Sequence, residues 1–216
     1  MTPKKNTMSL WRKFMSRLVE TICLKDGKLL NIFYHNKRFN ETRKILFDRK
    51  DFLNLKEVVK IEDKYSCGTY KVRVIYTSEI EEIEFLPYNF QQKKTLKILH
   101  CDEIEYSFKY EDRTKLDSLF KNRGECDDIL IVKNGFITDS HSANVVFFDG
   151  EKWITPSTPL LKGTKRQYLI DKGIIREEEL KLKDLRFFKG FYLVNAFFDL
   201  KPEFYNPITN IREYYA

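Results

Sequence analysis

No apolar run in this chain approaches the roughly 20 residues that a helix needs to cross a bilayer, and no secretory h-region opens it. The residues that form disulfides and metal sites are sparse. Cys23, Cys67, Cys101 and Cys126 stand far apart with no CxxC pair, and His35, His100 and His141 are equally scattered. Such spacing speaks against a disulfide framework and supports no metal cluster; reduced thiols in a soluble, cytoplasmic protein are the expectation. Internal repeats and low-complexity linkers are also missing, so neither a repeat array nor a beads-on-a-string architecture is expected.

What is present suits a packed protein. The 216 residues are 42% hydrophobic and 15% aromatic, enough for a sizeable core and against global disorder. The net charge of +7 comes from 39 basic and 32 acidic residues mixed along most of the chain. It accords with a solvated surface or with a basic site for an anionic ligand, and no nucleic-acid-binding motif accompanies it. The exception is the beginning. The first 19 residues hold Lys4, Lys5, Arg12, Lys13 and Arg17 without an acid. There Trp11, Phe14, Met15 and Leu18 share one helical face, as in a membrane-surface or transit helix. A helix packed on the body, or a loose leader before an internal start at Met8, accounts for the same residues.

Beyond this 1–17 leader, Leu18 to Leu24 reads as a strand, Asp26-Gly27 as a tight turn and Leu29 to Tyr34 as the hairpin partner. The spacing predicts a helix from His35 to Phe47, with Phe39, Ile45 and Leu46 inside. Gly68–Thr77, Glu79–Leu86 and Thr95–Cys101 are rich in Val, Ile and Tyr and read as strands. Thr114–Lys121 reads as a helix. In the second half, Asp128–Lys133, Asn134-Gly135 and Phe136–Thr138 spell strand, hairpin turn and return. Val145–Phe148, Asp149-Gly150 and Trp153–Thr155 repeat that grammar. Thr164–Lys172 is a helix ended by Gly173, and Phe191–Phe197 a further strand. The expected organisation is α+β, with a small lobe over 18–105, a larger one over 106–216, and a crevice between them.

The segment DDILIVKNGFITDSHSANVVFF, followed by WITPSTPLLKGTKRQYL, resembles the signature region of fold-type IV pyridoxal-phosphate enzymes, the class IV aminotransferase family. That family holds branched-chain and D-amino-acid aminotransferases and aminodeoxychorismate lyases. Its acid, four residues, Asn and hydrophobic strand appear as Asp139 and Asn144; its Thr-Pro as Thr155-Pro156; its Gly-x-x-Arg as Gly163 to Arg166. Upstream, ETICLKDGKLLNIFYHNKRFN is similar to the family's opening hairpin with His-x-x-Arg, here His35 and Arg38. FKYEDR is similar to the segment of the cofactor-binding lysine, here Lys109. The likeness spans about residues 18 to 200.

The resemblance implies a two-lobed fold of the D-amino-acid aminotransferase type, with pyridoxal 5'-phosphate between the lobes. It makes Lys109 the catalytic residue, which joins the cofactor covalently and moves the substrate's Cα proton. Asp139 pairs with the ring nitrogen, where relatives carry Glu. Arg38 offers its guanidinium fork to the phosphate. Gly163, Thr164 and Lys165 open a helix whose amides receive the phosphate. Asn144 orders the loop around the cofactor and Asn195 stands on the phosphate side. His35 orients the first helix. His141 lines the substrate side, or faces solvent as loop histidines commonly do.

Typical relatives carry an extra N-terminal hairpin where this chain has the basic leader, so one pocket wall is expected to be absent or rebuilt. The GTKRQ loop and the compact length favour an aminodeoxychorismate lyase that acts on a small amino substrate. An amino-acid aminotransferase, and a family relative that binds without catalysing, are the alternatives. A homodimer is implied as well, and the aromatic stretches NVVFF and FFKGFYLVNAFF read as surplus apolar surface for it.

Overall fold

The computed structural model of the chain describes residues 16–212. The leader reading over 1–17, with the helical face of Trp11, Phe14 and Met15, therefore falls almost wholly outside the described residues; Leu18 begins a strand. Among the described residues two compact units are present: one runs to Asn89 and includes Phe108–Asp112, and the other holds Phe90–Ser107 and the residues from Arg113 onward.

The first unit is a four-stranded antiparallel sheet carrying a helix. Strands β1 (Leu18–Lys25), β2 (Lys28–Leu29), β3 (Thr69–Tyr76) and β4 (Ile80–Pro87) lie in the order β2-β1-β3-β4. Asp26 and Gly27 both take positive φ, 47° and 73°, which gives the hairpin turn the twist that the strands need. The expected partner strand over 29–34 is cut short. Asn31 turns left-handed at φ 55°, and helix α1 (Ile32–Phe47) starts directly after it. Its inner stripe is His35, Phe39, Thr42, Arg43 and Leu46. Ile45, expected inside, is 65% exposed, because one residue turns the helix by roughly 100° away from Leu46. Leu18, Ile22 and Leu24 of β1 pack with Phe39, Leu46, Val72, Val74 and Tyr76 in one cluster. A one-turn helix, α2 (Leu55–Val58), adds Leu55 to it.

The second unit is a mixed sheet. Its strands are β5 (Leu96–His100), β6 (Asp128–Lys133), β7 (Phe136–Ser140), β8 (Asn144–Phe148), β9 (Trp153–Pro156), β10 (Arg176–Glu178), β11 (Gly190–Val194), β12 (Asn206–Pro207) and β13 (Ile211–Arg212). The order runs β10-β9-β8-β7-β6-β5-β13, with β11 joined to β8 and β12. Helices α3 (Thr114–Phe120) and α4 (Thr164–Asp171) complete it. Asn134 and Gly135, at φ 51° and 81°, make the same twisted turn between β6 and β7. Leu96, Leu130, Val132, Ile137, Val145, Phe147, Phe191 and Leu193 form the main core.

Two expectations need correction here. The lobe boundary placed at 105/106 falls elsewhere, because β5 pairs in parallel with β6 from Leu96↔Asp128 onward and so draws 90–107 into the second unit. Residues 108–112 return to the first, where Tyr110 bridges Leu18. The strand expected to reach Phe197 stops at Val194. Asn195 Oδ1 accepts from the N–H groups of Phe197 and Phe198 at 2.8 and 3.1 Å and bends the chain there.

Candidate active site

Strand β1 alternates, so Leu18, Glu20, Ile22 and Leu24 share the face turned to the core. An acid in that row must find partners or lose its charge. Glu20 is 0% exposed and finds two. Arg38 reaches it from α1 with Nε to Oε1 at 2.8 Å and Nη2 to Oε2 at 2.7 Å, and His35 Nδ1 lies 2.6 Å from Oε2. Burial alone raises the pKa of Glu20; the Arg38 charge and the hydrogen bonds from His35 and Arg38 prevail and hold it at about 2. Burial pushes His35 below its ordinary value, against the pull of Glu20, and the Arg38 and Lys109 charges push the same way. A carboxylate only accepts, so the neutral imidazole carries its proton on Nδ1. Lys109 is half-buried, and its carbonyl accepts from Val19 N–H at 2.9 Å. Residues 18–20 of β1 thus hold both Arg38, through a side chain, and Lys109, through the backbone.

The second unit brings together Asp139, Asn144 and Gly163. Asp139 and Asn144 face each other across the β7–β8 pairing. Asn144 Nδ2 donates to Asp139 Oδ1 at 2.7 Å and to the Leu161 carbonyl at 2.9 Å, while Leu161 N–H donates to Asp139 Oδ2 at 2.9 Å. A Cβ on Gly163 would lie 2.0 Å from Asn144 Oδ1, so only glycine leaves room for that side chain. Burial raises Asp139 to about 6, although the Leu161 and Asn144 hydrogen bonds and the Arg166 charge pull it down.

The loop from Ser140 to Ala143 is pinned on several sides. Asp128 Oδ1 accepts from His141 N–H at 3.2 Å, Arg113 Nη2 donates to the His141 carbonyl at 2.7 Å, and Asn195 Nδ2 donates to the Ser142 carbonyl at 3.3 Å. His141 itself neither faces solvent nor stands open. Its ring stacks on Phe120 at 4.3 Å, and Nε2 lies 2.8 Å from Asp117 Oδ1. Burial lowers its pKa, against the pull of Asp117, and burial raises that of Asp128.

Gly163 caps α4 in an extended conformation, and Thr164 is buried behind it. Lys165, assigned to the phosphate in the sequence, places Nζ 2.7 Å from Asp199 Oδ2. Arg166 is 1% exposed, donates to the Pro156 carbonyl at 2.8 Å and pairs with Glu177; its Nε is buried without a hydrogen-bond partner. Among the described residues no group of His, Cys, Asp and Glu is placed to hold a metal ion, and no helix is long and apolar enough to cross a membrane.

The expected site residues thus fall in two sets, Arg38 and Lys109 in the first unit and Asp139, Asn144, Gly163, Thr164, Lys165 and Asn195 in the second. Sequence reasoning passed over Glu20, although an acid on the apolar face of a strand is a legible signal. It also passed over Arg113 and Asp128, which hold the 140–143 loop and carry no comparable mark.

Residues 107–202 match the family model for amino-transferase class IV. An uncharacterized protein of Haemophilus influenzae strain Rd is 35% identical over 184 residues, 84% of this chain and 98% of that one. A crystal structure from Haemophilus somnus 129pt, provisionally assigned as a 4-amino-4-deoxychorismate lyase, superposes with TM-score 0.79 at 31% identity, covering 84% of this chain and 96% of the other. A hypothetical aminotransferase from Mycobacterium tuberculosis, solved in its PLP-bound form, shares the fold at TM-score 0.70 and 18% identity, over 91% of this chain and 84% of that one. By these matches the chain belongs to the class IV aminotransferases, a family of pyridoxal-phosphate-dependent enzymes, and carries their two-lobed fold-type IV architecture.

Proposed function

We propose that this protein binds pyridoxal 5'-phosphate and acts as an aminodeoxychorismate lyase, converting 4-amino-4-deoxychorismate into 4-aminobenzoate, a folate precursor, and pyruvate. The observation that carries the cofactor reading is the lock of Asp139, Asn144 and Gly163. A buried carboxylate is held by two donors, and each of its oxygens keeps a lone pair for one more, the acceptor that a protonated ring nitrogen requires. The shorter Asp in place of Glu is compatible with that role because Asn144 and Leu161 fix its orientation. Support for the lyase comes from the Haemophilus somnus protein at 31% identity.

Pyridoxal phosphate supplies an electron sink that lets a bond at the amine-bearing carbon break. The chain supplies the rest. Lys109 attaches the cofactor, takes the proton from the carbon that bears the substrate amine, and delivers a proton to the departing enolpyruvyl methylene, which leaves as pyruvate. Asp139 keeps the ring nitrogen protonated. Arg38, the first turn of α4 from Gly163 through Thr164 and Lys165, and Asn195 hold the phosphate. The homodimer and the cytoplasmic location implied by the family belong to the same proposal.

An amino-acid aminotransferase is the second reading, favoured by the family model over 107–202. In it Lys109 moves the same proton without loss of a leaving group. The visible spectrum of the purified protein with added cofactor tests the binding claim, a yellow band being expected. Release of 4-aminobenzoate and pyruvate supports the lyase; amino transfer to a 2-oxo acid without that release would replace it by the aminotransferase.

A further inference from the structure

Glu20 has no exposed surface and stands on the core face of β1 between Leu18 and Ile22, which are equally buried. Replacing a buried ion pair by apolar groups is often neutral or stabilising, so stability gives no reason for a charge there. Nor does raw attraction, since a carboxylate repels a phosphate. What Glu20 supplies is aim. Two guanidinium nitrogens of Arg38 end on its two oxygens at 2.8 and 2.7 Å, which fixes the plane of the fork as one contact does not. His35 Nδ1 lies 2.6 Å from Oε2, the oxygen that also accepts from Arg38 Nη2, and so adds a third contact that fixes the acid. Val19, the preceding residue, anchors the Lys109 carbonyl. Consecutive residues of one strand therefore set both first-unit groups assigned to the cofactor.

We propose that Glu20 is a positioning residue that aims Arg38 at the phosphate of the cofactor, an inference that rests on the cofactor reading given above. In Glu20→Gln the amide oxygen stays where Arg38 Nη2 and His35 Nδ1 both donate, which leaves the amide nitrogen facing Arg38 Nε, donor against donor, and the two-point aim is lost.

The test is titration of apo-protein with pyridoxal phosphate and, separately, with pyridoxal, which lacks the phosphate, using wild type, Glu20→Gln, Arg38→Met and the double variant. Thermal melting of each apo-protein reports its fold. Glu20→Gln is expected to weaken pyridoxal phosphate binding by about tenfold or more, the scale of one charge-assisted contact, and to leave pyridoxal binding unchanged. Arg38→Met should do the same, and the double variant should be no weaker than Arg38→Met. Equal loss of both ligands, or no loss of either, in folded Glu20→Gln overturns the proposal. If that variant does not fold, the double variant, which removes both charges together, decides: binding weaker than in Arg38→Met shows that Glu20 acts by another route. A wild type that binds neither ligand overturns the cofactor reading too, whereas normal wild-type binding with an indifferent Glu20→Gln overturns this inference alone.

Discussion

Lys109 is half-buried, and its carbonyl accepts from Val19 N–H, a tie that belongs to the backbone. Lys109→Ala keeps that tie. The variant should melt with the wild type and lose turnover by roughly a thousandfold or more, since it removes both the attachment point and the proton carrier; steady-state rates of 4-aminobenzoate release check it. Asp139 gives a prediction with a sign. Burial lifts its pKa from 3.8 to about 6, so the folded apo-protein keeps a proton that the unfolded chain has released. The stabilisation is present below the lower value and is lost as pH rises through the higher one, by roughly 3 kcal/mol in all. Apo-protein unfolding followed by denaturant should therefore show a fall in stability between pH 3.8 and about 6 that Asp139→Asn lacks. The same variant should slow turnover, because an amide does not keep the ring nitrogen protonated. Where a motif marks a residue, as at Lys109 and Asp139, the sequence offers a role to be tested. Glu20 opens the quoted hairpin segment but received no role there, and its meaning emerges only when α1 delivers Arg38 and His35 to it.

Among elements, the start of α4 is the most constrained. Gly163 has an ordinary φ of −68°, so space and not backbone strain demands glycine. Asn144 is unable to yield, because its amide is committed to Asp139 and Leu161. Gly163→Ala should cost about 1–3 kcal/mol of stability, the usual price of overpacking, and weaken cofactor binding through Asp139; chemical denaturation and cofactor titration measure the two effects. The hairpins at Asp26-Gly27 and Asn134-Gly135 were legible because their turns need two left-handed residues, which those dipeptides favour. The extent of β2 was not. The apolar run after Leu29 suits a strand or a helix alike, and a left-handed Asn31 decides between them. Nor was the end of β11, where the Asn195 side chain captures two backbone N–H groups.

At the scale of the molecule, the order of strands along the second half was readable from alternation and turns. The assignment of 90–107 was not, because the parallel pairing of β5 with β6 joins segments about 30 residues apart and leaves no local trace. The aromatic stretches taken as surplus surface are interior for most of their length, although Phe187 is 60% exposed. Val145, Val146 and Phe147, and Phe191 through Val194, are buried within the second unit. The proposed homodimer therefore rests on family likeness more than on these stretches. Sedimentation across a dilution series should find a dimer throughout, and a stable, active monomer would refute it. The central claim is a pyridoxal phosphate enzyme working through Lys109, and borohydride reduction of the loaded protein followed by peptide mass mapping tests it most directly. The account predicts a single phosphopyridoxyl adduct on the peptide that contains Lys109; an adduct on another lysine, or none, would contradict it.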